Sequence, residues 1–254
     1  MSDLHGKLAV VTGGNAGIGL GIARELVARG ARVVITGRRQ EALDAAAAEL
    51  GEQVIPIRSD AARLSDIDAL AETVRTRFAR VDILVVNAGI ALQEPVGTLT
   101  EPAFDDLVDI NFKGAVFTTE KFIPLLADGA AVIHLTSVSA YTVARGTAIY
   151  AATKAALTAY SKAAAIELAD RRIRVNTVAP ALTETEIIYR GAFADENLHT
   201  ALRKMMPFKR YGKVEEVAKL VGFLVSDDAA FISGGEYAID GAASVNEPMR
   251  ALLG

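Results

Sequence analysis

Seven short apolar runs rich in β-branched residues punctuate the chain, at residues 8–12, 32–36, 54–58, 83–87, 131–136, 174–179 and 236–240. Between them lie longer Ala- and Leu-rich stretches whose apolar positions recur with helical spacing. Strands buried on both faces read as continuous apolar runs, and regular strand–helix alternation implies right-handed βαβ units. The pattern predicts an α/β fold formed by one domain over 1–254, a doubly wound seven-stranded parallel sheet with helices on both faces. No Pro/Ser-rich linker, charge block or fixed-period repeat divides it. The rhythm breaks at about 184–211, where Ile187, Ile188, Tyr189, Met205, Met206 and Phe208 mix with charged residues. A long connection beyond a strand's carboxyl end predicts a lid, because ligands of such sheets bind there; a helical excursion packed on the domain is the alternative.

Composition narrows the chemistry. With 51% hydrophobic residues in 254, the chain can fill a sizeable core. Twenty-seven Lys and Arg against 31 Asp and Glu leave a net charge of −4, which argues against nucleic acid or a membrane surface as partner. The absence of cysteine removes disulfides, thiolate metal sites and thiol nucleophiles together, and suits a cytoplasmic protein. His5, His134 and His199 stand apart and no HExxH occurs, so no metal site is expected. Asp3, His5 and Lys7 precede the first apolar run, unlike a signal peptide, and no run of about 18 apolar residues could span a bilayer.

Between the first strand and first helix stands Gly13-Gly14-Asn15-Ala16-Gly17-Ile18-Gly19. Glycines at 13, 17 and 19 permit a tight turn and close approach of backbone to a pyrophosphate, with helix N–H groups facing the phosphates. The end of the second strand decides the cofactor. An acid there would bind a ribose 2′-OH, whereas this chain has Gly37-Arg38-Arg39, and a guanidinium is shaped to fork onto a 2′-phosphate. NADP(H) is favoured, with NAD(H) possible.

Tyr150 and Lys154, four apart on an Ala-rich helical stretch, share a face. A cation there favours the phenolate, and a phenol tuned toward the working pH can exchange a proton with a carbonyl or alcohol oxygen. Thirteen residues earlier, at the end of the fifth strand, the Ser137 hydroxyl could orient such an oxygen; Ser139 is a near competitor.

Thr12-Gly13-x-x-x-Gly17-Ile18-Gly19, Asn87-Ala88-Gly89, Asn111 in Asp109-Ile110-Asn111, Ser137 and Tyr150-x-x-x-Lys154 come in the order and spacing of the short-chain dehydrogenase/reductase family. The similarity covers nearly the whole chain and resembles the compact, roughly 250-residue form with its Rossmann sheet. It implies an NAD(P)(H)-dependent oxidoreductase interconverting a ketone and a secondary alcohol, with hydride leaving the B face of the nicotinamide. Ser137 would position the substrate oxygen and Tyr150 would be the acid/base. Lys154 would hold the nicotinamide ribose and depress the Tyr150 pKa. Asn111 would bend its helix and bind a water linking Lys154 to solvent. Asp60, beside Ala61, resembles the family's adenine-binding acid. Asn15 belongs to the glycine loop, Asn87, Ala88 and Gly89 would line the adenosine side, and Ile18 matches a position whose backbone reaches the cofactor. The usual Pro-Gly after the sixth strand is Pro180-Ala181 here; Thr183 and Thr185 match the positions that hold the carboxamide or phosphate. Ala16 replaces the basic loop residue of many NADP-dependent members, leaving Arg38 to hold the phosphate largely alone.

Three segments should line a largely apolar substrate pocket, 90–96, 139–149 and the lid, with Tyr141, Val143, Ile188, Tyr189, Met206 and Phe208 as walls and Glu94, Arg145 and Arg190 as polar discriminators. A medium-sized carbonyl or alcohol is the expected small-molecule substrate. The small-residue helices at 102–125 and 150–169 could pack closely, and the resemblance implies a homotetramer built on them. The rival reading is a non-catalytic NADP(H)-sensing protein on the same fold.

Overall fold

The computed structural model describes residues 3–189 and 195–246. Seven parallel strands, β1 (Leu8–Val11), β2 (Arg32–Gly37), β3 (Val54–Arg58), β4 (Val81–Val86), β5 (Leu126–Leu135), β6 (Arg174–Pro180) and β7 (Glu236–Ile239), form one sheet in the order β3-β2-β1-β4-β5-β6-β7. The chain runs outward from β1 to β3, then restarts at β4 on the other side. The crevice between β1 and β4 is therefore the topological switch point where such sheets bind ligands.

Alternate strand residues feed two cores. Ala9, Val11, Val33 and Ile35 pack under α1 (Gly17–Ala28), α2 (Gln40–Leu50) and α8 (Val214–Leu224). Leu8, Val10, Leu84 and Val132 pack under α3 (Leu64–Phe78), α5 (Gly114–Phe122) and α6 (Ala148–Glu167). This two-sided burial is why the strands read as unbroken apolar runs. Helices α1 and α8 meet at Gly21, where a Cβ would lie 2.1 Å from Val214 Cγ1.

Two elements depart from the sequence pattern. β5 begins at Leu126 rather than 131. It pairs with Val81 there, loops out through Asp128 and Gly129, and resumes at Ala131 opposite Ile83, so the Asp-Gly turn sits inside the strand. The helix expected over 102–125 is broken. α4 (Glu101–Val108) is capped by Thr100 and gives way to a π-helical turn at Asp109–Lys113, which leads into α5 and a 3₁₀ turn at Ile123–Leu125. A π turn inserts an extra residue and re-aims its side chains, here Asn111.

The 184–211 segment is tied at its base: Glu184 N–H donates to the Gly212 carbonyl (2.8 Å) and Gly212 N–H to that of Leu182 (3.0 Å). It contains a short turn at Glu186–Tyr189 and α7 (Glu196–Met205).

Candidate active site

The glycine loop turns above the carboxyl end of β1. Gly13 and Gly17 take left-handed backbone (φ +63° and +51°), and a Cβ at Gly19 would lie 2.2 Å from the Gly13 carbonyl oxygen, so α1 docks on the loop only without a side chain there. No side chain caps α1 and no acid lies in its first turn, which leaves its N-terminal field open to an anion. Asn87 braces the loop, its Nδ2 donating to the carbonyls of Thr12 (2.9 Å) and Gly13 (3.2 Å). In return Thr12 Oγ1 accepts from the N–H groups of Asn87 (2.9 Å) and Ala88 (3.0 Å). Thr12 is thus a brace whose role its place in the motif did not reveal.

Thr12, Gly13, Asn15, Gly37, Arg38, Asp60, Ala61, Ala88 and Gly89 line one cleft across the switch point. Asn15 and Arg38 also line a second, adjoining concavity together with Arg39. Arg38 therefore does not stand alone; its direct neighbour in sequence was the available signal. Asp60 is held by an N–H bond to Asp66 Oδ2 (3.0 Å), while its Oδ1 accepts from Ala62 N–H (3.1 Å). Thr185 comes beside Gly17, where a Cβ would lie 3.4 Å from its Cγ2. Thr183 is buried and donates to the Ala181 carbonyl (3.0 Å); Pro180 ends β6 below it. Glycines packed so tightly that side chains are excluded, an uncapped helix start and paired guanidiniums fit a dinucleotide phosphate.

Ser137, Tyr150 and Lys154 converge next to this cleft, Lys154 reaching the corner at Gly89. Ser137 lies two residues past β5 and caps a 3₁₀ turn at Val138–Ala140; its Oγ accepts from Ser139 N–H (3.1 Å), so Ser139 pins Ser137 through its backbone rather than competing with it. Lys154, buried one turn beyond Tyr150, donates from Nζ to the Leu135 carbonyl (3.0 Å) and lies 5.8 Å from the Tyr150 ring centre. Asn111 in the π turn clamps the chain after β4: Oδ1 accepts from Ile90 N–H (2.8 Å) and Nδ2 donates to Ile90 O (2.9 Å). Nδ2 also reaches Thr153 Oγ1 on α6 (3.5 Å), so the side chain ties this segment to the helix that carries Tyr150 and Lys154. A Cβ at Gly89 would lie 3.1 Å from Asn111 Oδ1 and 3.4 Å from Lys154 Nζ, so glycine keeps that corner open.

The expected acidification of Tyr150 is not what the protein groups produce. Burial pushes the phenol above its ordinary value, and the hydrogen-bonding Ser137 hydroxyl only opposes that. Burial also lowers Lys154 to about 8, since an ammonium is costly out of water. His134, wholly buried on β5, is driven down to about 3 by burial and then by the Lys154 charge. Neutral, it bridges Thr119 of α5 (2.8 Å) and Ser161 of α6 (2.7 Å).

Of the residues expected around the substrate, Tyr141 and Val143 are exposed beyond Ser137, Ile188 is partly buried against a cluster of Met206, Tyr211 and Ala243, and Glu94 N–H donates to the Gly146 carbonyl (2.8 Å). Met206 is not a wall: it packs inward with Tyr211 and Ala243, where burial of its thioether outweighs exposure to the cleft. Arg190, with the side chains of Ile187 and Tyr189, falls outside the described residues. Among the described residues no helix is long and apolar enough to cross a membrane, and no group of three or more His, Cys, Asp or Glu could hold a metal ion.

A glycine-braced cleft at the switch point with a Ser–Tyr–Lys cluster beside it is an arrangement suited to a nicotinamide oxidoreductase. The profile of the family described as enoyl-(acyl carrier protein) reductase matches residues 13–243. The chain is 37% identical to oxidoreductase asL5 of Sarocladium schorii, covering 94% of this chain and 96% of that one. Among solved structures it resembles a 3-ketoacyl-(acyl-carrier-protein) reductase from Brucella melitensis complexed with NADH (TM-score 0.88, 31% identity, 95% and 100% covered). It also resembles a blue fluorescent protein from a metagenomic library in complex with NADPH (TM-score 0.87, 29% identity, 94% and 98% covered). The chain belongs to the short-chain dehydrogenase/reductase family and is an oxidoreductase acting on CH-OH and C=O groups.

Proposed function

We propose that the protein reduces a ketone to a secondary alcohol with NADPH, Tyr150 acting as the acid. The observation that carries this reading is the convergence of Ser137, Tyr150 and Lys154, with Lys154 Nζ at the corner kept open by Gly89, a residue that lines the glycine-rich cleft. The bound nicotinamide would supply the hydride. Ser137 donates to the carbonyl oxygen and fixes it beside the phenol. A phenol kept protonated by burial is ready to give its proton to that oxygen, which favours the reducing direction. Lys154, lowered to about 8, exchanges protons near the working pH and holds the cofactor ribose. Asn111 keeps the segment after β4 against the cleft. Arg38, with Arg39 and Asn15 beside it, receives the 2′-phosphate, so NADP(H) is favoured. The same reading takes 1–254 as one domain of a cytoplasmic homotetramer; exposed Phe104 and Phe117 on α4 and α5 offer it a face.

Two measurements test the chemistry. In an NADPH-oxidation assay over a ketone panel, Tyr150→Phe should lower kcat/KM by about 10²- to 10⁴-fold. Equal turnover in both proteins would remove Tyr150 from the reaction, and tight NADPH binding without turnover of any carbonyl would favour a sensor. In cofactor titrations Arg38→Ala should raise the NADPH Kd by about 10- to 100-fold, the loss of a charge-assisted hydrogen bond, and leave NADH nearly unchanged. Unchanged NADPH affinity would defeat the phosphate assignment.

A further inference from the structure

His134 is buried beside the site and has no part in the proposed chemistry. Residues 130–135 of β5 are otherwise Ala, Val, Ile and Leu, and an apolar side chain would fill the place of the ring without the risk of an unpaired nitrogen. Both nitrogens are paired: Nε2 lies 2.8 Å from Thr119 Oγ1 on α5, and Nδ1 lies 2.7 Å from Ser161 Oγ on α6. Each hydroxyl also reaches the carbonyl four residues back, Thr119 to Ala115 (3.0 Å) and Ser161 to Leu157 (2.6 Å). A neutral imidazole has one donor and one acceptor nitrogen, so one hydroxyl accepts from the ring and the other donates to it. Among the described residues the titratable groups facing the ring are Lys154 and Tyr160 on α6 and, through the Tyr160 hydroxyl (2.7 Å), Glu120 on α5. What the imidazole supplies that an apolar residue could not is a directional link between three elements.

The next residue gives that link a purpose. β5 ends at Leu135, whose carbonyl accepts from Lys154 Nζ (3.0 Å). Lys154 and Ser161 are seven residues apart on α6, two helical turns, and so project from the same face. Two consecutive residues of β5 therefore hold α6 at two points, His134 by its ring and Leu135 by its carbonyl. A helix held at one point can pivot; held at two, it keeps its register on the strand.

We infer that His134 is a positioning residue: by holding Ser161 it fixes the register of α6 on β5 and keeps the Lys154 ammonium on the Leu135 carbonyl, out of water. Its service to catalysis rests on the ketone-reductase reading, in which Lys154 acts; the placement of Lys154 is tested without it. The link to α5 through Thr119 stabilises the fold but does not bear on Lys154, because Thr119 lies on the other helix.

The test compares Ser161→Ala, which cuts the link to α6, with Thr119→Val, which cuts the link to α5, each with and without Lys154→Met. Urea unfolding at pH 7 and pH 10 reads the gain in stability that Lys154→Met abolishes, which measures how far the ammonium is kept from water. In Ser161→Ala that gain should fall to about half or less, as Lys154 reaches solvent. Thr119→Val should lose stability equally at both pH values and keep the wild-type gain. His134→Leu, which removes both links and leaves the space filled, should repeat the Ser161→Ala result. An undiminished gain in Ser161→Ala, equal effects of the two single variants, or no gain in the wild type would each overturn the inference. With NADPH and any ketone that the wild type reduces, the pH dependence of kcat should move to higher pH in Ser161→Ala and stay in place in Thr119→Val; an unmoved profile in Ser161→Ala would also overturn it. Wild-type protein that reduces no ketone defeats the reductase reading instead, and the urea comparison still decides the placement of Lys154.

Discussion

Lys154 shows how a single residue is held against its own solvation. Its ammonium sits almost wholly out of water, with the Leu135 carbonyl as its protein acceptor, and its pKa falls from 10.5 to about 8. Between those values the unfolded chain binds more protons than the folded one, so folding stability rises with pH from about 8 to 10.5. The whole shift corresponds to about 3 kcal/mol, present as a cost at neutral pH. In urea titrations, wild-type protein should gain stability relative to Lys154→Met as the pH goes from 7 to 10; parallel curves would mean that the ammonium is better solvated than its burial implies. A buried ammonium that destabilises the fold finds its compensation in the proposed reaction, where it lies beside the ribose and phenol it would serve.

At the scale of elements, the cleft depends on two close approaches. One is α1 on the glycine loop. Gly19→Ala would push a methyl into the Gly13 carbonyl and toward Asn87 Nδ2, which lies 2.5 Å from the Cβ position. Overpacking of this kind costs about 1–3 kcal/mol, so the variant should unfold at lower denaturant and lose NADPH affinity in a titration. Wild-type values for both would show that α1 can retreat without harm. The other approach is Gly114 at the start of α5, where a Cβ would meet the Ala61 carbonyl at 2.0 Å, bringing the segment after β3 against the helix that follows the π turn. That turn was hidden because it adds a residue without changing the local composition of a helix; only its consequence, the direction of Asn111, has chemical meaning.

For the whole molecule, the apolar positions that remain outside the two cores are the ones that speak of assembly. Phe104 and Phe117 are 41% and 38% exposed on α4 and α5, and Ile166 is 78% exposed near the end of α6. The proposed homotetramer predicts a sedimenting species of four times the 26.8 kDa chain, and Phe104→Lys with Phe117→Lys should shift it to smaller species. A wild-type monomer at micromolar concentration would exclude it.

The sequence by itself determined the sheet, the glycine loop and the spacing of Ser137, Tyr150 and Lys154, because each is written in local pattern: apolar runs for two-sided burial, glycine where side chains cannot fit, and i,i+4 spacing for a shared helix face. Only the tertiary structure decided what depends on distant neighbours. It brought Arg39 to Arg38 and Asn15, made Ser139 a backbone brace for Ser137, and turned Met206 inward. It also raised the Tyr150 phenol where spacing to a lysine suggested the reverse. The reason is physical. Spacing specifies which groups can meet, but desolvation and hydrogen bonding depend on everything packed around them, and at Tyr150 burial outweighs the Ser137 hydrogen bond.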